Sequence, residues 1–355
     1  MCRIGGGDAH RLAPTARFAS VGTAAGNGYV RRMSNLDPTP TEVVCENRDD
    51  AAPRLLDFRE VPLGGPRAMT VRRSLPQRGQ TLIGAWCFLD HYGPDDVADS
   101  GGMRVAGHPH TGLQTVSWLF RGDIEHRDTT GAHAMVRPRE VNLMTAGSGI
   151  AHSEFSTPGT DVLHGVQLWV ALPAEHRFTA PAFEHHAPPV VDVDGAEVVV
   201  FLGSLFGQTS PVRTFTPLLG AEVVLRPGQR LGVRLDATFE HGVMVDTGSV
   251  SVSGVDAKVG QLVHLPVGAT DMELIASSDG PVRVVVLGGE PLGEQIVMWW
   301  NFIGRSHEEV EQFRAEWQQA REDRTTAGRY GQFPSAWGET IPAPILPNTR
   351  LRPRG

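Results

Sequence analysis

Gly107-His108-Pro109-His110-Thr111-Gly112 opens the stretch around which the chain is organised, and Thr145-Ala146-Gly147-Ser148-Gly149-Ile150-Ala151-His152-Ser153-Glu154 closes it. Each end carries two metal-type donors two residues apart, His108/His110 and His152/Glu154. Side chains along a β-strand alternate between faces, so residues i and i+2 point the same way. Each doublet therefore aims both members at one side of a sheet. Three imidazoles and one carboxylate, gathered by folding, make a mixed nitrogen and oxygen set suited to a divalent transition metal. The stretch reads as a metal site built on strands.

Working outward, short apolar runs separated by turn residues predict an all-β chain. Leu55 to Val61, Ala68 to Val71 and Leu82 to Asp90 precede the first doublet, with a turn at Gly64-Gly65-Pro66 and an exit loop at Asp90-His91-Tyr92-Gly93-Pro94. Gln114 to Phe120, Ile124 to Asp128, Ala134 to Val136 and Val141 to Thr145 lie between the doublets, and Gln167 to Leu172 follows. Pro173 to Pro189 is rich in Pro and His and reads as a linker. Six further strand candidates between Val198 and Leu287 repeat the rhythm, but there His241 and His264 stand singly. The expectation is two barrels in tandem, one of them furnished with a metal site.

A helix is expected from Ser306 to about Arg321, opened by a capping box of Ser306 and Glu309. Its Val310, Phe313 and Trp317 share one face and should dock on a barrel. The tail, with Pro334, Pro342, Pro344 and Pro347, reads as extended. Residues 1–52 lack apolar periodicity and are expected to be disordered, with Met33 a possible alternative start. The expected division is 53–178 for the metal-binding barrel, 179–305 for the second barrel, and 306–355 for helix and tail.

The 355 residues, 40% of them hydrophobic, suffice for two cores, and 41 glycines with 26 prolines suit a turn-rich β protein. A net charge of −8 argues against nucleic acid or an anionic membrane as partner. Cys2, Cys45 and Cys87 show no paired spacing, and no apolar run is long enough for a membrane span or a secretory signal, so a cytoplasmic setting is expected.

These motifs resemble the pirins, members of the cupin superfamily. The likeness is carried by Gly107 to Leu113, His126-Arg127-Asp128, Thr145 to Glu154, Gln167-Leu168-Trp169 and Gly288-Gly289-Glu290-Pro291-Leu292. The resemblance implies two jelly-roll cupin barrels with iron(II), or another divalent metal, in the first. It carries the ligand roles to His108, His110, His152 and Glu154. Thr111, Gln114 and Ser148 depart from the residues many pirins carry at those positions. The resemblance also implies one of two functions. The first is a quercetin 2,3-dioxygenase-type reaction, in which a flavonol-like substrate and dioxygen react and Glu154 serves as general base. The second is non-enzymatic: an iron-dependent regulator of a partner protein, with Trp299-Trp300-Asn301-Phe302 and the second barrel as its surface. A metal-storing or stress-related role ranks last. His126 is weighed as an outer support for a ligand, and His91 is given no role.

Overall fold

Most strands of the chain alternate strictly in burial only where they lie on an outer sheet. Ile124–Asp128 and Arg230–Arg234 do so, whereas Val141–Thr145 and Leu262–Leu265 are buried on both faces. Two-sided burial is the mark of a sheet sandwiched between layers. The computed structural model describes residues 52–63, 69–324 and 328–355. The N-terminal extension up to residue 51, the turn at Gly64-Gly65-Pro66 and the expected strand start at Ala68 lie outside them.

Each barrel pairs a seven-stranded antiparallel sheet with a four-stranded one. In the first, the large sheet runs Ala182–His186, Val141–Thr145, Leu113–Arg121, Val162–Ala171, Trp86–Asp96, Met69–Leu75, Arg59–Leu63. Its small sheet runs Arg104–His110, Ile150–Ser156, Ile124–Asp128, His133–Val136. The second barrel repeats the plan, with Glu240–Thr247 and Val282–Gly289 central in its large sheet. The all-β, two-barrel reading with a C-terminal helix therefore holds.

Three details differ from expectation. The run from Leu55 to Val61 is two strands, because Asp57 and Phe58 interrupt it. Arg54–Leu56 pairs with Leu262–Leu265 in the second barrel, while Arg59–Leu63 pairs within the first. The Pro- and His-rich segment is more than a linker, since Ala182–His186 pairs with Val141–Thr145 and extends the first barrel's sheet. The expected exit loop at Asp90 to Pro94 is strand: Trp86–Asp96 pairs with Val162–Ala171 from end to end. Its polar residues read as a loop, yet two of them, Asp90 and His91, have buried partners. Arg73 donates to both Asp90 carboxylate oxygens at 2.7 Å, and His91 meets Asp246.

The two large sheets face each other across an apolar seam. Leu89, Val116, Trp118, Val166 and Leu168 of the first barrel pack with Phe201, Met244 and Leu287 of the second. Trp118 stacks on Phe201 at 4.6 Å, and its Nε1 donates to Glu222 at 2.8 Å. One buried polar cluster crosses this seam. His91 and His164, from neighbouring strands of the first barrel, lie 2.8 and 2.6 Å from Asp246 Oδ1 of the second. Arg283 and Thr247 hold the other oxygen at 3.1 and 2.8 Å.

The helix is His307–Asp323, with Ser306 as N-cap accepting from the Glu309 N–H at 3.2 Å. The expected capping box is altered at its second half. The Glu309 carboxylate accepts from the Arg305 N–H at 2.6 Å and from Arg177 at 2.7 Å, rather than from the cap residue. Val310, Phe313 and Trp317 are buried as their spacing predicts. They pack against the hairpin of Val297–Trp299 and Phe302–Gly304 and against the tail. That tail is extended but firmly seated. Tyr330, Trp337, Ile341 and Leu351 are buried, the Trp337 Nε1 donates to Ser153 Oγ at 2.9 Å, and the Ile341 N–H donates to Gly107 O at 2.8 Å. A Cβ on Gly107 would lie 2.5 Å from the Trp337 ring, so the tail requires glycine beside the first doublet. No described helix is long and apolar enough to cross a membrane.

Candidate metal centre

The first doublet lies on Arg104–His110 and the second on Ile150–Ser156, neighbours in the small sheet. His152 stands opposite His108, and Ile150 opposite His110. The register then slips, so that Glu154 stands opposite Val105. Ala106 and Gly107 of the first strand there face the single Ser153 of the second, a bulge that leaves Ile150–Ser156 in regular register with Ile124–Asp128. The sharp turn after His110 is made by Gly112, at φ +69, where a Cβ would lie 2.3 Å from Ile303 O. The hairpin carrying Ile303 buttresses the doublet from behind, and the Ile303 N–H donates to Thr111 O at 3.0 Å.

The structure brings His108, His110 and His152 together, with one ring nitrogen of each within 4.8 Å of the others. Nε2 of His110 and Nε2 of His152 are 3.1 Å apart. Donors at about 2.1 Å from a shared metal and at right angles would be about 3 Å apart, so the spacing suits an ion. Nδ1 of His108 lies 3.0 Å from Ala106 O, which leaves its Nε2 buried and without a partner. A buried polar nitrogen with nothing to bond is costly unless something fills the gap. Glu154 shares the pocket, but its carboxylate groups with His152 and His126 rather than with all three histidines. Ser117 Oγ lies 3.4 Å from Glu154 Oε1.

All four side chains are at most 4% exposed. Burial lowers the His108 pKa to about 4 and holds His110 and His152 well below the usual imidazole range, the neighbouring rings adding to the effect. Neutral imidazoles are the form that binds metal. Burial also raises the Glu154 pKa, which inclines it toward accepting a proton.

The pocket holds about 430 Å³ of space free of atoms, its open mouth included. Phe88 and Trp169 form a wall, stacked at 4.0 Å and 12°, with Tyr92, Gln167, Met103 and Val105 completing the lining. Trp169 also takes the edge of His110 at 5.1 Å. None of Thr111, Gln114 or Ser148, the departures noted in the sequence, lines this pocket. Gln114 instead donates to Thr145 Oγ1 at 2.9 Å and to Arg213 O at 3.3 Å.

A family model described as Pirin matches residues 68–170, and one described as Pirin C-terminal cupin domain matches residues 220–323. The chain belongs to the pirin family. A Pseudomonas aeruginosa relative, provisionally named a quercetin 2,3-dioxygenase, is 39% identical over 304 residues, covering 85% of this chain and 93% of its own. A pirin-like protein of Caulobacter vibrioides is 34% identical over 302 residues, covering 82% and 98%. Among solved structures, a quercetin 2,3-dioxygenase from Acinetobacter baumannii superposes with a TM-score of 0.78 at 36% identity, covering 85% of this chain and 97% of that one.

Within this pirin, sequence reasoning missed Phe88, Asp90, Tyr92 and Trp169 as pocket residues. Their signal was the period-two alternation of Trp86–Asp96 and Val162–Ala171. Phe88, Asp90 and Tyr92 of the first strand and Gln167 and Trp169 of the second face the pocket, while Leu89, His91, Val166 and Leu168 face the seam. The aromatic stretch at Trp299 is core rather than surface, with Trp299, Trp300 and Phe302 at most 4% exposed.

The buried histidines set the acid stability of the metal-free pirin. His91, His108, His110, His152 and His241 all have lowered pKa values, His241 to about 4. An unfolded imidazole takes up its proton near pH 6.5, where these native ones do not. Their contribution is thus complete above about pH 6.5 and is lost as pH falls toward the native values. The raised carboxyls of Asp95, Glu154 and Glu222 act in the opposite sense, three groups against five. We expect the urea midpoint of metal-free protein to fall steadily from pH 7.5 to pH 5. A midpoint that is flat or rises over that range would contradict the burial-driven shifts.

Proposed function

We propose that this pirin is an iron(II)-dependent dioxygenase of the quercetin 2,3-dioxygenase type, opening a flavonol-like enol with dioxygen and releasing carbon monoxide. The supporting observation is the convergence of three neutral imidazoles on an aromatic-walled pocket with a buried carboxylate at hand. His108, His110 and His152 would hold the metal, with Glu154 beside it or as a fourth ligand. Iron(II) would supply the Lewis acidity and redox chemistry that the side chains lack.

The residues themselves supply binding, positioning and proton transfer. The stacked Phe88 and Trp169 rings give the pocket an apolar aromatic wall against which a ring system could pack. Tyr92 contributes a buried hydroxyl without a partner, placed to bond a polar group of the substrate. Glu154 takes the enolic proton as general base, and its raised pKa suits it to hold that proton until the ring has opened. Its grouping with His126 and His152 favours the base role over that of a fourth ligand. The iron and the unpaired, buried thiol of Cys87 both suit a reducing, cytoplasmic setting.

The regulator reading loses the aromatic half of the surface that sequence suggested for it, because the Trp299 stretch is buried. An aerobic assay on iron-loaded protein, following loss of the flavonol band and release of carbon monoxide, tests the proposal. Iron-dependent loss with carbon monoxide is the expected result. No loss at full iron occupancy would remove the flavonol class and favour a redox-sensitive binding protein.

A further inference from the structure

Behind His152 lie two buried polar side chains to which the proposed reaction gives no part. The strand Ile124–Asp128 pairs with Ile150–Ser156, placing Asp128 opposite His152 and His126 opposite Glu154. His126 and Asp128 are 3% and 1% exposed. His126 Nε2 lies 3.1 Å from Asp128 Oδ2, and His126 Nδ1 lies 3.4 Å from His152 Nδ1. Phe183, on the strand formed by the Pro- and His-rich segment, stacks on the His126 ring at 4.7 Å and fixes its plane.

We propose that Asp128 and His126 are positioning residues that dictate which nitrogen of His152 carries its proton. The inference rests on the metal reading of His108, His110 and His152. Asp128 Oδ1 already accepts from Thr130 N–H at 2.8 Å, from Thr130 Oγ1 at 2.6 Å and from Ala132 N–H at 3.2 Å. These bonds lock the carboxylate and present Oδ2 to His126. A carboxylate only accepts, so His126 Nε2 bears the hydrogen. With that hydrogen on Nε2, His126 Nδ1 can accept the hydrogen of His152 Nδ1, 3.4 Å away, and so favours it there. This leaves the His152 Nε2 lone pair directed at His110 Nε2, where a metal would sit. Outer partners that fix a ligand's tautomer in this way typically change metal affinity 10- to 100-fold. With both of its nitrogens engaged, His126 acts as a support and not as a ligand.

The chain of bonds makes an unusual ranking of variants. In Asp128→Asn, the three donors at Oδ1 keep the amide oxygen where it is, so the NH2 turns toward His126. His126 Nε2 must then accept, its Nδ1 must donate, and His152 is forced to carry its hydrogen on Nε2, the nitrogen the metal needs. His126→Phe merely removes the support and leaves His152 free to choose. Asp128→Asn is therefore expected to weaken metal binding about 100-fold and His126→Phe about 10-fold. The double variant should recover to the level of His126→Phe alone.

Cobalt(II) titration of the full chain against a chromophoric chelator gives these affinities without any turnover. Thermal unfolding of the metal-free variants reports folding separately. If Asp128→Asn does not fold, His126→Gln replaces it in the test. Its amide can donate to Asp128 and accept from His152, so it should bind cobalt about tenfold more tightly than His126→Phe. Equal affinity of Asp128→Asn and wild type overturns the relay, as does a double variant no better than Asp128→Asn. A larger loss in His126→Phe than in Asp128→Asn also overturns it, by making His126 a ligand. If Gln and Phe at position 126 bind cobalt equally, the relay likewise fails. Wild-type protein that takes up no cobalt overturns the metal reading itself.

Discussion

Exchange of His152 for alanine should empty the first barrel of iron while leaving both barrels folded. His152 is the hub of the cluster: its Nε2 is 3.1 Å from that of His110, its ring is 4.3 Å from that of His108, and its carboxylate neighbour is Glu154. The remaining pair, His108 and His110, sits on one strand and cannot enclose an ion. In structural zinc sites that bind with about 10–16 kcal/mol, each of the four ligands contributes about 3–4 kcal/mol. Loss of one corresponds to a weakening of about 100- to 1000-fold. The fold tolerates the change because His152 is desolvated and neutral in the metal-free protein, so its removal relieves a burial penalty as it opens a small void. The second barrel is insulated further, since its own core is built from residues 196–286 alone. Iron retained after desalting, read beside circular dichroism, checks this expectation. Flavonol turnover should vanish with the iron. A folded variant with normal iron content would remove His152 from the ligand set.

The ligand doublets were legible because the period of a strand is short and rigid: two residues apart means one face, whatever the rest of the chain does. Gathering the doublets required only that their strands be neighbours, and they are. The bulge at Ala106 and Gly107, opposite Ser153, was not legible, because a register slip leaves no mark in composition. Polar residues in strands misled the reading in the other direction. Asp90, His91 and Tyr92 look like a loop until Arg73 and Asp246, distant in sequence, are seen to satisfy two of them. Ala182–His186 was hidden for a similar reason, since prolines and histidines suppress any strand signal and the register that recruits it comes from Val141–Thr145. The helix showed the opposite balance. Its cap and apolar face are local properties, and both were readable from Ser306, Val310, Phe313 and Trp317.

The largest effect on stability should come from the seam, at Asp246. Its side chain is fully buried, and a single oxygen faces His91 and His164 from two adjacent strands of the other barrel. Arg283 holds the second oxygen, and also lies over the Phe120 ring at 4.9 Å. Burial alone would push this carboxyl up, but the bonds from His164 and His91 outweigh it and hold the group well below the usual carboxylate range. Asp246→Ala would leave two desolvated imidazoles and one guanidinium facing a void, and Arg283 would keep its 3.4 Å contact with Glu222 and its place over Phe120. Breaking a buried charged pair from one side costs about 3–5 kcal/mol. Asp246→Asn keeps one accepting oxygen and should cost about 1–3 kcal/mol. Because the native pKa is depressed, the clamp's contribution is complete above about pH 4 and is lost as pH falls through the native value. The gap between wild type and Asp246→Asn should therefore narrow in acid. Urea unfolding at neutral pH, with an unchanged slope, measures the difference. A loss under about 1 kcal/mol for Asp246→Ala would show that apolar contacts such as Trp118 on Phe201 hold the barrels together without the buried charge.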